Sequence, residues 1–339
     1  CDKNQWTLRI CLRKSKKEWK TFSWSQTKAK IYVWQAILAY LDQMDIIVVG
    51  TGAVGSVYGA LLSQKNDIVF LVRDKASIPN NAITLQGHVS KSFSVQATTK
   101  IRSIKKDTII LLCTKVHQTK DALRPILSLL QKDTIIICMQ NGYGAEDIAR
   151  KIVGNRCIVL RAITSIGTER IKPGLVRYHH SGKTIIEKSK ASIKIIKMLN
   201  DSGLESIESK DIKKDIWRKL IANCMANPIT ALFNIKNKEI TNQNLRPIAE
   251  SIGKECIRVA KKDGVYFDEK TIDEILGFIS KSENMSSMLQ DIRSGRKTEI
   301  DFLNGVIVAL GKKYGIECPT NAAIVSMIHY LQSRQSPSK

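Results

Sequence analysis

The sequence predicts two folded domains, an α/β domain built on a parallel β-sheet and an all-helical domain after it. The α/β domain is predicted at residues 44–210, and from 44 to about 187 short apolar runs alternate with helical segments. These runs lack polar alternation, which is typical of strands covered on both faces of a parallel sheet. From residue 211 to 331 the patterned segments carry apolar residues at i, i+3, i+4 spacing, which predicts helices alone. Residues 332–339 are expected to be a flexible tail.

The predicted elements follow from these patterns. Strands are predicted at 46–50, 68–72, 108–113, 134–139 and 157–162, and a strand–turn–strand unit at 174–187. Helices of the α/β domain are predicted at 53–64, 118–130 and 145–152, and those of the second domain at 212–233, 246–263, 269–280, 299–314 and 320–331. Pro228 lies inside the first helix of the second domain and is expected to kink or end it.

Residues 1–43 differ in composition from the rest of the chain. They contain four of the five tryptophans but neither glycine nor proline. A core strand follows Met44 at once, so we predict that Met44 is the natural start and that 1–43 is a leader outside the fold. A secretory signal is the alternative, because basic residues precede the apolar run 31–41. However, Gln35 interrupts that run, and no small-residue cleavage site follows it closely.

Composition limits the class of protein. The formal net charge is +23, but lysines are spread along the chain and aromatic residues make up 6%. This favours capture of anionic small molecules over nucleic-acid binding. No run approaches the roughly 18 apolar residues of a membrane span. The eight cysteines show no C-x-x-C pair and no metal-ligand spacing, which predicts reduced thiols, no metal site and a cytoplasmic protein.

A glycine-rich fingerprint follows the first predicted strand. It has the pattern G-x-G-x-x-G and consists of Gly50, Thr51, Gly52, Ala53, Val54 and Gly55. Gly50 allows the tight turn, Gly52 lets a pyrophosphate approach the backbone, and Gly55 lets helix and strand pack closely. With an apolar strand before it and an apolar helix after it, the fingerprint predicts a dinucleotide site.

Charges at the end of the second strand bear on which dinucleotide binds. Arg73 abuts the strand and would accommodate the extra phosphate of NADP, whereas Asp74 would accept from the ribose hydroxyls of NAD. We favour NADP, and Asp74 leaves NAD open. Both charges also fit solvated loop positions.

Further candidates lie after the third and fourth strands. Lys115 and Gln118 are placed to contact cofactor phosphate or ribose. His117, which has no paired carboxylate in sight, is expected to be a bystander. Asn141 would offer an amide to substrate or nicotinamide, or form an Asx turn instead.

Two polar clusters stand out in the predicted helical domain. Lys219, Asn223 and Asn227 recur at i, i+4, i+8 and form one stripe on an otherwise apolar helix. A solvent-facing stripe is the simple explanation, but asparagine is a poor helix former, and this favours a functional role. The second cluster contains Ser287 and Glu299. Glu299 either complements a helix dipole or pairs with Lys219 to keep it charged.

The motifs together resemble those of the ketopantoate reductase family. They read G-T-G-A-V-G, T-K-x-x-Q, Q-N-G-x-G, W-R-K-L-x-x-N-C-x-x-N-P and S-S-M-L-Q-D-I-x-x-G-x-x-T-E-I-D, in family order from residue 44 to about 330. The resemblance implies a Rossmann domain joined to a helical domain like that of 6-phosphogluconate dehydrogenases. It also implies NADPH-dependent reduction of 2-dehydropantoate to (R)-pantoate, a step toward pantothenate and coenzyme A.

The resemblance also assigns roles to residues. It makes Lys219 the general acid, with Glu299 at a substrate hydroxyl and near the cofactor. Substrate would be bound by Asn141, Asn223, Asn227 and Ser287, and cofactor by residues 50–55, Arg73, Lys115, Gln118 and Asn141. His117 departs from the family, which often has an aromatic residue there. A reductase of another 2-oxo acid remains the alternative, a non-catalytic or nucleic-acid-associated protein is a more distant one, and a homodimer is left open.

Overall fold

The structure, a computed structural model, describes residues 6–11, 19–24 and 44–334. The chain divides into two compact units, residues 1–44 and 45–339. In the first unit, β1 (Trp6–Cys11) pairs with β2 (Trp19–Trp24) in an antiparallel hairpin that the sequence did not predict. The apolar run 31–41, considered above as a secretory signal, lies outside the described residues.

An eight-stranded sheet forms the centre of the α/β region. Its strands are β3 (Asp45–Val49), β4 (Asp67–Leu71), β7 (Gln96–Thr98), β8 (Ile109–Leu112), β9 (Ile135–Cys138), β10 (Ile158–Thr164), β13 (Thr184–Ile186) and β14 (Ser206–Glu208). The order is β14-β13-β10-β9-β8-β3-β4-β7, and the six strands from β10 to β7 are parallel. The chain proceeds in one direction from β3 to β4 and in the other from β3 to β8. Such a switch point opens a crevice at the carboxyl ends of the strands.

A second, four-stranded sheet was not predicted. It contains β5 (Ala82–Gly87), β6 (Lys91–Ser94), β11 (Gly167–Lys172) and β12 (Leu175–His180), in the order β11-β12-β5-β6. Helix α1 (Ala53–Leu62) contacts both sheets, and its residues from 55 onward are buried. The two strands predicted at 174–187 are confirmed as β12 and β13, and they belong to different sheets, because β12 joins the small sheet and β13 the large one.

The remaining helices of the α/β region are short. The helix predicted at 118–130 is broken into a 3-10 turn, α2 (Thr119–Leu123) and a second 3-10 segment (Arg124–Leu129). Pro125 is the second residue of that last segment and has no N–H to give to an α-helical bond. Helix α3 (Ala145–Val153) matches its prediction, and α4 (Ser192–Asp201) was not predicted.

Residues 212–334 are helical, without a strand. The helices are α5 (Ile212–Phe233), α6 (Arg246–Lys262), α7 (Thr271–Ile279), α8 (Ser287–Arg293), α9 (Asn304–Tyr314) and α10 (Pro319–Ser333). The helix predicted at 299–314 is split, because a 3-10 turn at Ile300–Phe302 precedes α9. Helix α10 continues to Ser333, two residues into the tail predicted at 332–339, and 335–339 lie outside the described residues.

Helix α5 lies at the centre of the helical core. Its Trp217 is fully buried, and α6, α7, α8 and α10 pack around it. Of the two outcomes expected for Pro228, a kink or an end of the helix, the second does not occur, since α5 continues to Phe233. Proline cannot donate to the carbonyl four residues before it, which is that of Cys224. The side-chain amide of Asn304 donates to this oxygen instead, at 3.1 Å, so the buried carbonyl keeps a partner.

Among the described residues, no helix is long and apolar enough to cross a membrane, and no group of His, Cys, Asp or Glu is arranged to hold a metal ion. The six cysteines within residues 44–334 form no disulfide.

Candidate active site

A cavity of about 680 Å³ lies at the carboxyl ends of β3, β4, β8 and β9, within the range of small-molecule sites. Strand β11, helix α8 and the segment that follows α8 complete its walls. Most of the predicted site residues line it: Gly50, Thr51, Gly52, Ala53, Val54, Arg73, Lys115, Gln118, Asn141, Ser287 and Glu299. Gly55 and the α5 residues Lys219, Asn223 and Asn227 are not part of this lining.

The glycine-rich loop has the geometry that a phosphate-binding turn needs. Gly50 has a φ of +110°, and a Cβ there would lie 2.9 Å from the carbonyl carbon of Cys113. A Cβ on Gly55 would lie 2.2 Å from the oxygen of Gly50, so helix and loop approach too closely for any side chain. Helix α1 begins after Gly52 without a side-chain cap or an acidic residue in its first turn. No capping side chain therefore occupies the first backbone N–H groups of α1, which lie at the cavity. Free N–H groups at a helix start are what an anion site requires.

The two charged residues after β4, Arg73 and Asp74, have different surroundings. Arg73 lines the cavity, and its side chain forms no ion pair among the described residues. The carboxylate of Asp74 accepts a hydrogen bond from the N–H of Ala76 at 2.9 Å and caps the following 3-10 turn. Asp74 does not line the cavity, so Arg73 is the charge presented to a ligand here.

Lys115 is held by two carboxylates from the helical region. Its Nζ lies 2.5 Å from Oδ2 of Asp291 and 3.3 Å from Oε2 of Glu299. Burial alone would lower the pKa of Lys115, but the two carboxylates outweigh it and raise that pKa above its ordinary value. Arg296 donates to the other oxygen of Asp291 at 3.1 Å. The charges of this cluster are therefore largely balanced within the protein.

Glu299 does not pair with Lys219, one of the alternatives considered above, in this structure. Besides Lys115, Glu299 accepts from the backbone N–H of Val116 at 3.2 Å, so its carboxylate faces the loop after β8. Glu299 precedes the 3-10 turn that leads to α9 and does not open that helix itself. Sequence spacing cannot show this, because the partner lies 184 residues away in the chain.

The polar stripe on α5 is only partly exposed. Lys219 is half-buried, and its side chain forms no ion pair or hydrogen bond among the described residues. Burial lowers the pKa of this side chain. The Nδ2 of Asn223 is buried and has no hydrogen-bond partner there. Asn227 is 6% exposed. An uncompensated lysine beside an unpaired amide is costly inside a protein, and such groups are typical of functional sites.

Contacts at both ends of the stripe relate it to the other site residues. On one side, the ring of Trp217 lies 5.3 Å from that of Tyr143, two residues after Asn141. On the other side, the hydroxyl of Thr230 lies 2.7 Å from that of Ser286, which caps α8 next to Ser287. Helix α5 thus runs from the loop that carries Asn141 to the start of the helix that carries Ser287.

Several cavity residues were missed or misjudged from the sequence. Thr168 and Arg170 come from β11, whose sheet was not predicted, and Arg296 and Lys297 follow α8. His117, expected to be a bystander, lines the cavity, and its Nδ1 is buried without a partner. Burial and nearby Lys297 lower its pKa. The alternation along β11, with Thr168 and Arg170 two residues apart on one face, is the signal that would have revealed that wall.

The fold and the site define a two-domain oxidoreductase with a dinucleotide-binding α/β domain and a helical domain. Residues 46–191 match the family model of ketopantoate reductase PanE/ApbA, and residues 211–332 match the model of its C-terminal domain. The chain belongs to the ketopantoate reductase family.

The chain is also similar to named relatives and to solved structures. The 2-dehydropantoate 2-reductase of Pyrococcus abyssi is 34% identical over 295 residues, which cover 84% of this chain and 97% of that protein. A crystal structure of a PanE/ApbA family ketopantoate reductase from Ralstonia eutropha JMP134 has a TM-score of 0.78 at 25% identity, and covers 86% of this chain and 99% of that one. A complex of D-mandelate dehydrogenase with NADH has a TM-score of 0.76 at 26% identity, over 86% of this chain and 100% of that one.

Proposed function

We propose that this protein is a 2-dehydropantoate 2-reductase that uses NADPH to reduce 2-dehydropantoate to (R)-pantoate. The curated relatives carry this activity in their names, and the chain spans 97% of the Pyrococcus abyssi enzyme. The observation that carries the proposal is the α5 stripe, where Lys219 has no compensating carboxylate and Asn223 has an unpaired amide. These groups suit a carbonyl substrate that needs a proton donor and an amide donor.

Several features of the cavity support a phosphorylated dinucleotide as the cofactor. The uncapped first turn of α1 would hold the pyrophosphate, as in other glycine-rich loops. Arg73, Arg170 and Lys297 line the cavity without an ion pair among the described residues, so the site has positive charge to offer an anion. Because Asp74 is engaged in its cap, Arg73 favours a cofactor with a 2′-phosphate. When bound, the reduced nicotinamide supplies the hydride.

The residues of the chain would then orient and protonate the substrate. Lys219 gives its proton to the carbonyl oxygen as negative charge develops there, and its positive charge stabilises that oxygen. The lowered pKa of Lys219 makes the proton easier to give than that of an exposed lysine. Asn223, Asn227 and Ser287 hold the substrate along α5 and α8, and Asn141 contacts substrate and nicotinamide. Glu299 fixes Lys115 and is near the hydroxyl end of the substrate.

Steady-state kinetics tests the proposal. We expect NADPH oxidation with 2-dehydropantoate, and a clearly higher kcat/KM with NADPH than with NADH. The absence of turnover with any 2-oxo acid would overturn the proposal. A cytoplasmic location and a homodimer remain predictions.

A reductase of another 2-oxo acid is the second candidate. The similarity to D-mandelate dehydrogenase, at 26% identity, favours testing aromatic 2-oxo acids in particular. Turnover of benzoylformate with a higher kcat/KM than that of 2-dehydropantoate would support this candidate over the first.

A further inference from the structure

The carboxylate of Asp263, directly after α6, accepts hydrogen bonds from several elements. Its donors are the hydroxyl of Tyr143 at 2.8 Å, Nε1 of Trp217 at 3.0 Å, the hydroxyl of Tyr314 at 2.7 Å and Nζ of Lys213 at 2.9 Å. Burial would raise the pKa of Asp263, but these donors outweigh it and hold that pKa below its ordinary value. The carboxylate of Asp263 is therefore a charged acceptor for these four donors.

Two of the four donors lie beside candidate active-site residues. Tyr143 follows Asn141 by two residues in the loop after β9, and Trp217 precedes Lys219 by two residues on α5. The rings of Tyr143 and Trp217 also contact each other, with centroids 5.3 Å apart. One carboxylate thus joins the Asn141 loop to the Lys219 helix.

The Asn141 loop is also held from the side of the sheet. Nε2 of Gln140 donates to the hydroxyl of Thr119 at 2.9 Å, and Arg161 donates to the carbonyl of Gly142 at 3.1 Å. The N–H of Tyr143 donates to the carbonyl of Phe302 at 3.1 Å. These bonds fix the loop backbone, and the phenol of Tyr143 adds a link to the end of α6.

We propose that Asp263 is a positioning residue for the reaction, because through Tyr143 and Trp217 it sets the spacing between Asn141 and Lys219. This inference rests on the proposed function, in which both residues contact one substrate. Hydride must reach the carbonyl carbon while the proton reaches its oxygen, so the two residues must hold the carbonyl in a single orientation. A misplacement of about 1 Å can cost as much as about a hundredfold in rate.

The chain offers a matched pair of variants for the test. Tyr143→Phe removes one phenol donor from Asp263 and keeps the ring on Trp217. Tyr314→Phe removes a phenol donor from the same carboxylate, but Tyr314 ends α9 and does not belong to the Asn141 loop. We expect Tyr143→Phe to lower kcat about tenfold with an unchanged Kd for NADPH, and Tyr314→Phe to keep the wild-type kcat. We also expect 4-deuterated NADPH to show a larger isotope effect on kcat in Tyr143→Phe alone.

Equal effects of the two substitutions, or no change in kcat for Tyr143→Phe, would overturn the positioning role. Amide hydrogen exchange of residues 140–144, measured without substrate, provides a readout that does not depend on activity. Exchange should be faster in Tyr143→Phe than in Tyr314→Phe, and equal exchange contradicts the inference. A wild type that turns over no 2-oxo acid would instead overturn the proposed function, so the two failures are distinguishable.

Discussion

Oε2 of Glu299 lies 3.3 Å from Nζ of Lys115, and no ion pair joins Glu299 to Lys219 among the described residues. Lys115 and Lys219 therefore have opposite electrostatic surroundings. The pKa of Lys115 is raised, whereas that of Lys219 is lowered by burial without a compensating charge. With its raised pKa, Lys115 is suited to carry a permanent positive charge at the cofactor. With its lowered pKa, Lys219 is suited to donate a proton.

The pH dependence of kcat follows from the lowered pKa of Lys219. A lysine acid acts when protonated, so kcat is full below its pKa and falls as the pH rises through it. The ordinary value is 10.5, and burial lowers it, so the fall should be centred below pH 10.5. The check is a pH profile of kcat with saturating substrates, with circular dichroism confirming that the fold persists. A kcat that stays level up to pH 10.5 would contradict this role.

Glu299→Gln tests whether Glu299 acts on Lys115 or on Lys219. The glutamine amide oxygen can still accept from the N–H of Val116, but the negative charge of the carboxylate is lost. We expect a KM for 2-dehydropantoate raised about tenfold, because a charged hydrogen-bond partner is removed. The alkaline fall in kcat should stay at the wild-type pH. If Glu299 instead supported the charge of Lys219, the substitution would move that fall to lower pH.

Arg73→Ala tests the choice of cofactor. Loss of a charged contact to a 2′-phosphate should raise the Kd of NADPH by about 10- to 100-fold and change the Kd of NADH little. The neighbouring Asp74→Ala is the control, because Asp74 caps a turn and does not line the cavity. Its two Kd values should stay near those of the wild type. Equal losses for both cofactors in Arg73→Ala would argue against the phosphate contact.

Asn304 and Pro228 allow a double-mutant cycle on the stability of α5. Asn304→Ala leaves the buried carbonyl of Cys224 without a donor, which should cost about 1–3 kcal/mol in the free energy of unfolding. In a Pro228→Ala background the new N–H at 228 can bond to that carbonyl, so the same substitution should cost less. Urea unfolding of the four proteins gives the coupling energy. Additive losses would show that the two residues do not share this carbonyl.

Much of the fold could be predicted from the sequence because its patterns are local. The strands of the parallel sheet are continuous apolar runs, and α5 begins and ends where its periodicity predicts, at Ile212 and Phe233. The small sheet was missed because its strands are short and half exposed, and β5 pairs with β12 about ninety residues later in the chain. The way in which α5 accommodates Pro228 could not be predicted, because Asn304, which replaces the missing N–H donor, is distant in sequence.

In the candidate site, too, the features that depend on local spacing could be predicted and those that depend on distant contacts could not. The glycine loop and Arg73 could be placed from spacing, since each follows a strand of a parallel sheet whose carboxyl ends meet at one edge. The pairing of Glu299 with Lys115 and the gathering of donors at Asp263 could not, because each depends on how the helical region packs against the loops after β8 and β9. The position of Arg170 in the cavity wall could not be predicted either, because Arg170 lies in β11 and the small sheet to which β11 belongs was not predicted.

Single-turnover reduction of 2-dehydropantoate by the Lys219→Ala variant, with NADPH prebound, tests whether Lys219 is the proton donor. We expect hydride transfer slowed at least about a hundredfold with an unchanged Kd for NADPH, because general acid catalysis contributes about 10²–10⁴-fold. Lys214→Ala, at an exposed lysine of the same helix, should transfer hydride at the wild-type rate. A Lys219→Ala rate close to that of the wild type would show that Lys219 is not the acid.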